Sequence, residues 1–176
     1  MAKYLRKIFD QSVWIDLKYD DYQRYDWLIN SEDIPAEPLV QLRPINKSIL
    51  SFYLIQDDNS NLDQVLAALG CVLKKLQIDF ITIDDSQLTE EKFYVNKSKG
   101  RTPDEQVNKE WHYDLTELSG FKLVHLAKLL LDKGDPDVRS KHDLIDFIEA
   151  SIREHRILLK SCSSEVKKKL QAVSLD

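Results

Sequence analysis

The longest near-continuous apolar run is SILSFYLIQ at 48–56, rich in aromatic and branched residues. A run of that kind reads as a strand covered on both faces. After it Leu62, Val65, Leu66, Leu69, Val72, Leu73 and Leu76 recur at three- and four-residue steps, which predicts a one-faced helix. Asp58, Asn59 or Ser60 can cap that helix by accepting from its free backbone N–H groups. Gly70 in its interior costs about 1 kcal/mol against alanine and is expected to allow close packing on a sheet. IDFITI at 78–83 is a second strand. Strand, helix and strand within about 48–83 predict a crossover unit, parallel and right-handed if both strands share one sheet.

The flanking patterns are weaker. Tyr4, Leu5, Ile8 and Phe9 sit at helical spacing, whereas Val13, Ile15, Leu17 and Tyr19 alternate with polar residues, apart from Trp14, as in a half-buried strand. DDYQRYDWLIN reads as a helix with Tyr22, Tyr25, Leu28 and Ile29 on one face and aspartates where the helix dipole favours them. Pro35, Pro38 and Pro44 break up 31–46, leaving at most the short extended piece LVQL. From 84 to 110 periodicity dissolves into a polar stretch expected to be a flexible surface loop. Leu118, Phe121, Leu123, Val124, Leu126, Ala127, Leu129, Leu130 and Leu131 then leave a narrow polar stripe, the pattern of a helix packed on more than one side. KGDPD ends it, Ser140 and Asp143 open a second helix in capping-box fashion, and a third follows at about 163–173.

The expected fold is therefore α+β or α/β: a small mixed sheet containing one parallel β-α-β unit at about 48–83, with a helical C-terminal half. A single domain over 1–176 would divide into a sheet-containing part (1–83), a flexible loop (84–110) and a helical part (111–176).

Charge narrows the choice of partner. The 176 residues carry 25 Lys and Arg against 30 Asp and Glu, a net charge of −5, so any nucleic-acid contact needs a local basic patch. Two cysteines give no disulfide framework and read as reduced thiols. No run is long enough for a signal peptide or a membrane span, so a cytoplasmic location away from membranes is expected.

Candidate chemistry centres on two repeats of one pattern, LIQDDNS and ITIDDSQ. Asp57 and Asp58 end one predicted strand, and Asp84 and Asp85 end the other. Ligands of parallel α/β sheets bind outside the carboxyl ends of the strands. Four carboxylates at one sheet end would suit Mg²⁺ and phosphate-ester chemistry, nuclease or phosphatase-like. Strand-end and capping roles account for the same residues and are preferred, because no phosphate loop or lysine is fixed nearby. Glu90, Glu91 and Lys92 form an acidic-x-Lys triplet of the kind nucleases use, but it is short and common. In WHYD, His112 and Asp114 form either an orienting pair or part of an aromatic docking point closing the preceding loop. No G-x-S-x-G, P-loop, G-x-G-x-x-G or C-x-x-C occurs.

Leu126, Leu129, Gly134, Pro136, Lys141, Leu144, Ile145 and Ile148 resemble the helix–loop–helix pattern of SAP-type DNA-binding modules over about 25 residues. The chain departs from it in having Ser140 where the family has glycine before the lysine, and Asp135 where it has an apolar residue. Asp135 and Asp137 would also repel phosphates.

The leading expectation is a non-catalytic protein that binds another, basic protein for regulation, assembly or inhibition. Asp20, Asp21, Tyr22, Tyr25 and Trp27 form its surface, where charge steers encounter and aromatics supply contact energy. The Mg²⁺-dependent enzyme is one alternative, and no other cofactor is expected. A nucleic-acid-binding accessory protein using Lys97, Lys99 and Arg101 is another, although these residues lack neighbouring aromatics that stack on bases.

Overall fold

The computed structural model describes residues 2–19, 36–42 and 49–173. The described chain runs β1 (Lys3–Ile8), α1 (Gln11–Tyr19), α2 (Ala36–Gln41), β2 (Leu50–Ile55), α3 (Leu62–Gly70), β3 (Ile78–Asp84), α4 (Asp85–Glu90) and β4 (Val95–Lys97). A π-helical turn (Val107–Trp111), β5 (His112–Leu115), α5 (Gly120–Lys133), β6 (Asp135–Arg139), α6 (Lys141–Arg153) and α7 (Ser164–Val173) complete it.

The strands form one six-stranded sheet in the order β4-β5-β2-β1-β3-β6, and the fold is α+β. Every neighbouring pair is antiparallel, which overturns the expected mixed sheet with a parallel β-α-β unit. The reason is the N-terminal segment. Lys3–Ile8 is not a helix but the strand that takes the slot between β2 and β3, with Lys3 opposite both Ile55 and Asp84. Tyr4, Leu5 and Ile8 suit helical spacing, but they equally suit a short strand buried on both faces. Tyr4 and Ile8 enter the core on one side, and Leu5 enters on the other. The helix between β2 and β3 thus crosses over an intervening antiparallel strand.

Gln11–Tyr19, expected as a strand, is helical. Trp14, the residue that broke the alternation, is its buried anchor, with Nε1 donating to Gln41 Oε1 at 3.0 Å. LVQL lies in and just after α2 rather than in an extended piece. The C-terminal half has its three helices but also contributes β5 and β6 to the sheet. Residues 134–140, expected as a helix–loop–helix turn, pair through β6 with β3, so the SAP-like arrangement is absent. The segment 84–110 carries α4, β4 and most of the π turn.

Helices cover both faces. One core gathers Trp14, Phe52, Ile81, Ile83, Leu126 and Leu130, which brings α1, α2 and α5 onto that side. The other gathers Leu66, Ala67, Phe80, Leu144, Ile148 and Val166, with α3, α6 and α7. Gly70 does permit a close approach, although to a helix and not to the sheet. A Cβ there would meet Leu144 of α6 at 2.4 Å. Cys71 and Cys162 are free and buried in this second core, where Ser163 N donates to Cys71 O at 2.7 Å. None of the described helices is long and apolar enough to cross a membrane.

Candidate anion-binding site

The aspartate pairs fall at the same end of the sheet but do not meet. β1 lies between their strands, so the two strand ends are two inter-strand spacings apart, about 10 Å. Each pair is engaged locally. Asp58 Oδ1 accepts from Ser60 N at 2.9 Å, and the hydrogen bonds from Ser60 hold this carboxyl below its ordinary range. Asp84 is the N-cap of α4, and its own N–H donates to Gln87 Oε1 at 3.1 Å. Asp85 N donates to Ala2 O, which ties the start of α4 to the chain entering β1. Among the described residues no group of three or more His, Cys, Asp or Glu side chains is placed to hold a metal ion. Glu91 is paired with His125 at 2.9 Å. The tyrosine- and tryptophan-bearing surface, Asp20, Asp21, Tyr22, Tyr25 and Trp27, lies outside the described residues.

Charge converges elsewhere, at the seam between β1 and β2. The two strands pair only from Lys3–Ile55 to Leu5–Tyr53, whereas β1 stays paired with β3 as far as Ile8. Arg6 sits where the seam opens. Its Nη1 donates to Ser51 O at 2.9 Å, its one hydrogen bond among the described residues, and its buried Nε has no partner. Burial pushes the guanidinium down to about 10, against the pull of Tyr53 and Asp114, so it remains cationic at neutral pH.

Arg6 lines a pocket of about 440 Å³. Paired residues of β2 and β5 form its floor: Ser51 faces Asp114, and Tyr53 faces His112. Ala68, Leu69 and Val72, along and just beyond α3, supply an apolar wall, and Lys99, Gly100, Arg101 and Thr102 supply the opposite one. Lys99 and Arg101 are exposed, and Lys99 lies close enough to Glu105 to help Lys109 hold that carboxyl below its ordinary range. Lys97, the third member of the basic triplet, lies on β4 opposite Tyr113 and outside the pocket.

The basic wall is held by a dense set of hydrogen bonds. Thr102 N donates to Asn108 Oδ1 at 2.7 Å, Asn108 Nδ2 donates to Thr102 O at 2.7 Å, and Gly100 N donates to Asn108 O at 3.1 Å. Buried Asp104 accepts from the backbone of Gln106 and Val107 and from Gln64 of α3, fastening the segment to the helix. Gly100 is needed for the close fit. A Cβ would lie 2.6 Å from Asn108 Oδ1 and 3.0 Å from His112 Cγ.

The buried His112 ring closes the corner. Its Nδ1 lies 2.7 Å from Ser98 Oγ, and its edge meets the Tyr53 ring at a centroid distance of 5.2 Å. Burial pushes the imidazole below its ordinary range, against the pull of Asp114. Nε2 is 3.9 Å from Asp114 Oδ1, too far for a hydrogen bond, and that oxygen accepts from Ser51 Oγ at 3.0 Å. Ser98, His112 and Asp114 therefore do not form the tight relay of a nucleophilic triad. The docking-point expectation for WHYD is the one this geometry fits, since the ring fastens the returning loop through Ser98.

Arg6, Ser51 and Tyr53 escaped sequence reasoning. The available signal was a charged residue inside KYLRKI, hidden by the helical assignment of that segment.

No family model matches the chain, and no curated protein or solved structure matches it either. Function must therefore be read from the site.

Proposed function

We propose that this protein is a non-catalytic binding domain whose ligand carries an anionic group into the pocket between β2, β5 and the 98–102 segment. The observation that carries this reading is the half-buried Arg6 guanidinium, with one internal hydrogen bond and a buried, unpartnered Nε. A buried, incompletely paired cation costs free energy, which a bound anion offsets. Lys99 and Arg101 at the rim add two positive charges to a lining whose one carboxylate is Asp114, with Glu105 near Lys99 offsetting part of them. This local excess supports anion binding in a chain whose net charge is −5.

The test is thermal denaturation in sodium phosphate against sodium chloride at matched ionic strength. Phosphate is expected to raise Tm by mass action in the wild type and less in a Lys99→Ala/Arg101→Ala variant. Equal Tm values in both salts for the wild type would overturn the reading.

A further inference from the structure

The pocket's floor and rim differ in chemistry, and that difference points to a ligand class. Resting on the anion-binding reading, we infer that the pocket takes a mononucleotide, base inward, with its phosphate on Lys99 and Arg101. Three features carry this. Arg6 and Asp114 both line the pocket, a donor and an acceptor close enough for Asp114 to favour the charged guanidinium. Such a pair is suited to a planar polar edge that offers both a carbonyl oxygen and N–H groups, and less suited to a second phosphate, which Asp114 would repel. Leu69 and Val72 line one side of the space between floor and rim, giving a flat ring or sugar an apolar wall. The two rim cations stand exposed, where a charged tail would remain partly hydrated.

Size agrees. A volume of about 440 Å³ falls in the usual range for small-molecule sites, roughly 300–1,000 Å³. A nucleic-acid strand would need an open groove with successive aromatic platforms, and the one aromatic in the floor besides His112 is Tyr53. The floor also sets a preference among bases. A carboxylate accepts from N–H groups, and a guanidinium donates to a carbonyl oxygen. Guanine presents both on one edge, with its O6 beside two N–H donors. Adenine lacks the carbonyl, and uracil flanks a single N–H with two carbonyls. The expected order is therefore GMP above AMP and UMP.

Isothermal titration of the full chain with GMP, AMP, UMP, inorganic phosphate and a short single-stranded DNA tests the inference. GMP is expected to bind at least tenfold more tightly than phosphate. Arg101→Glu, at an exposed position that leaves folding intact, is expected to weaken all the phosphate-bearing ligands. Asp114→Asn is expected to reduce the GMP preference over AMP while leaving inorganic phosphate binding unchanged or stronger. Should Asp114→Asn fail to fold, comparing guanosine with inosine on the wild type reads the same acceptor, because inosine lacks the exocyclic amino group.

Mononucleotides binding no better than phosphate would overturn the inference and leave the anion site standing. DNA binding tighter than any mononucleotide, with steep salt dependence, would replace it with a polymer site. Binding by no ligand in the panel, phosphate included, would remove both readings.

Discussion

The two polar ends of this sheet present opposite cases. At one end, four aspartates occur as a repeated sequence pattern, yet β1 holds the pairs apart and local hydrogen bonds engage them. At the other, no motif exists, yet Arg6, Lys99, Arg101, His112 and Asp114 converge from three distant segments. Charges that cluster in sequence are taken up locally, Asp58 by the backbone of its own turn and Asp84 as the N-cap of α4. At the pocket, Arg6 and Asp114 each find a partner in Ser51, and Lys99 and Arg101 line it as exposed cations.

The comparison breaks most visibly at Gly100. A side chain there must displace Asn108 or His112, so Gly100→Val is expected to destabilise the fold by about 1–3 kcal/mol. That is a fall in Tm of several degrees for a chain of this size, and phosphate stabilisation should be lost with it. Unchanged melting and unchanged phosphate response would mean that the basic wall is not fixed by this contact.

Arg6→Met separates stability from binding. An apolar side chain of similar length removes a half-buried cation but also the donor to Ser51 O, so stability without anion should stay within about 1 kcal/mol of wild type. Phosphate affinity should fall at least tenfold. Strong destabilisation with affinity intact would make Arg6 a structural strut, and the contrast between the two sheet ends would disappear.

These contrasts also explain what the sequence disclosed. The central run, LSFYLI, and the start of the helix stripe at Leu62 were legible from their periodicity, although the helix ends at Gly70 and Val72, Leu73 and Leu76 lie beyond it. Strand neighbourhood was not, because the consecutive-strand expectation for β2 and β3 fails when an earlier segment occupies the slot. That segment is six residues long, and Tyr4, Leu5 and Ile8 fit two periods equally. Misreading it hid Arg6, and with Arg6 the pocket. Lys99 and Arg101 were legible as basic residues, but nothing in a loop reveals which strands it folds against. Trp14 shows the same limit: it broke an alternating pattern because the segment is a helix, whose buried face it anchors.

A smaller effect is expected from pH. The His112 pKa is lowered in the fold from an ordinary value of 6.5, chiefly by burial. The unfolded chain therefore binds the proton more readily. The contribution to stability is present above about pH 6.5 and is lost as pH falls through the folded-state value. Urea denaturation between pH 7.5 and 5 should show wild-type stability declining in acid, with a shallower decline in His112→Gln. Parallel slopes would place the titration elsewhere.

The smallest effect is expected at the aspartates, and it is the most decisive for the comparison. Asn caps a helix about as well as Asp, so Asp84→Asn should leave α4 in place. Asp57→Asn alters the turn after β2, away from both cores. The double variant is expected to lie within about 0.5 kcal/mol of wild type, and Mg²⁺ is expected to shift the Tm of neither protein. The strand ends that bear the two pairs lie about 10 Å apart, and no group of three or more His, Cys, Asp or Glu side chains among the described residues is placed to hold an ion. A Mg²⁺-dependent rise in wild-type Tm that the double variant loses would show that the strand ends do close on a metal. The repeated aspartate pattern would then mark a site after all, and local capping would no longer distinguish it from the pocket at the other end.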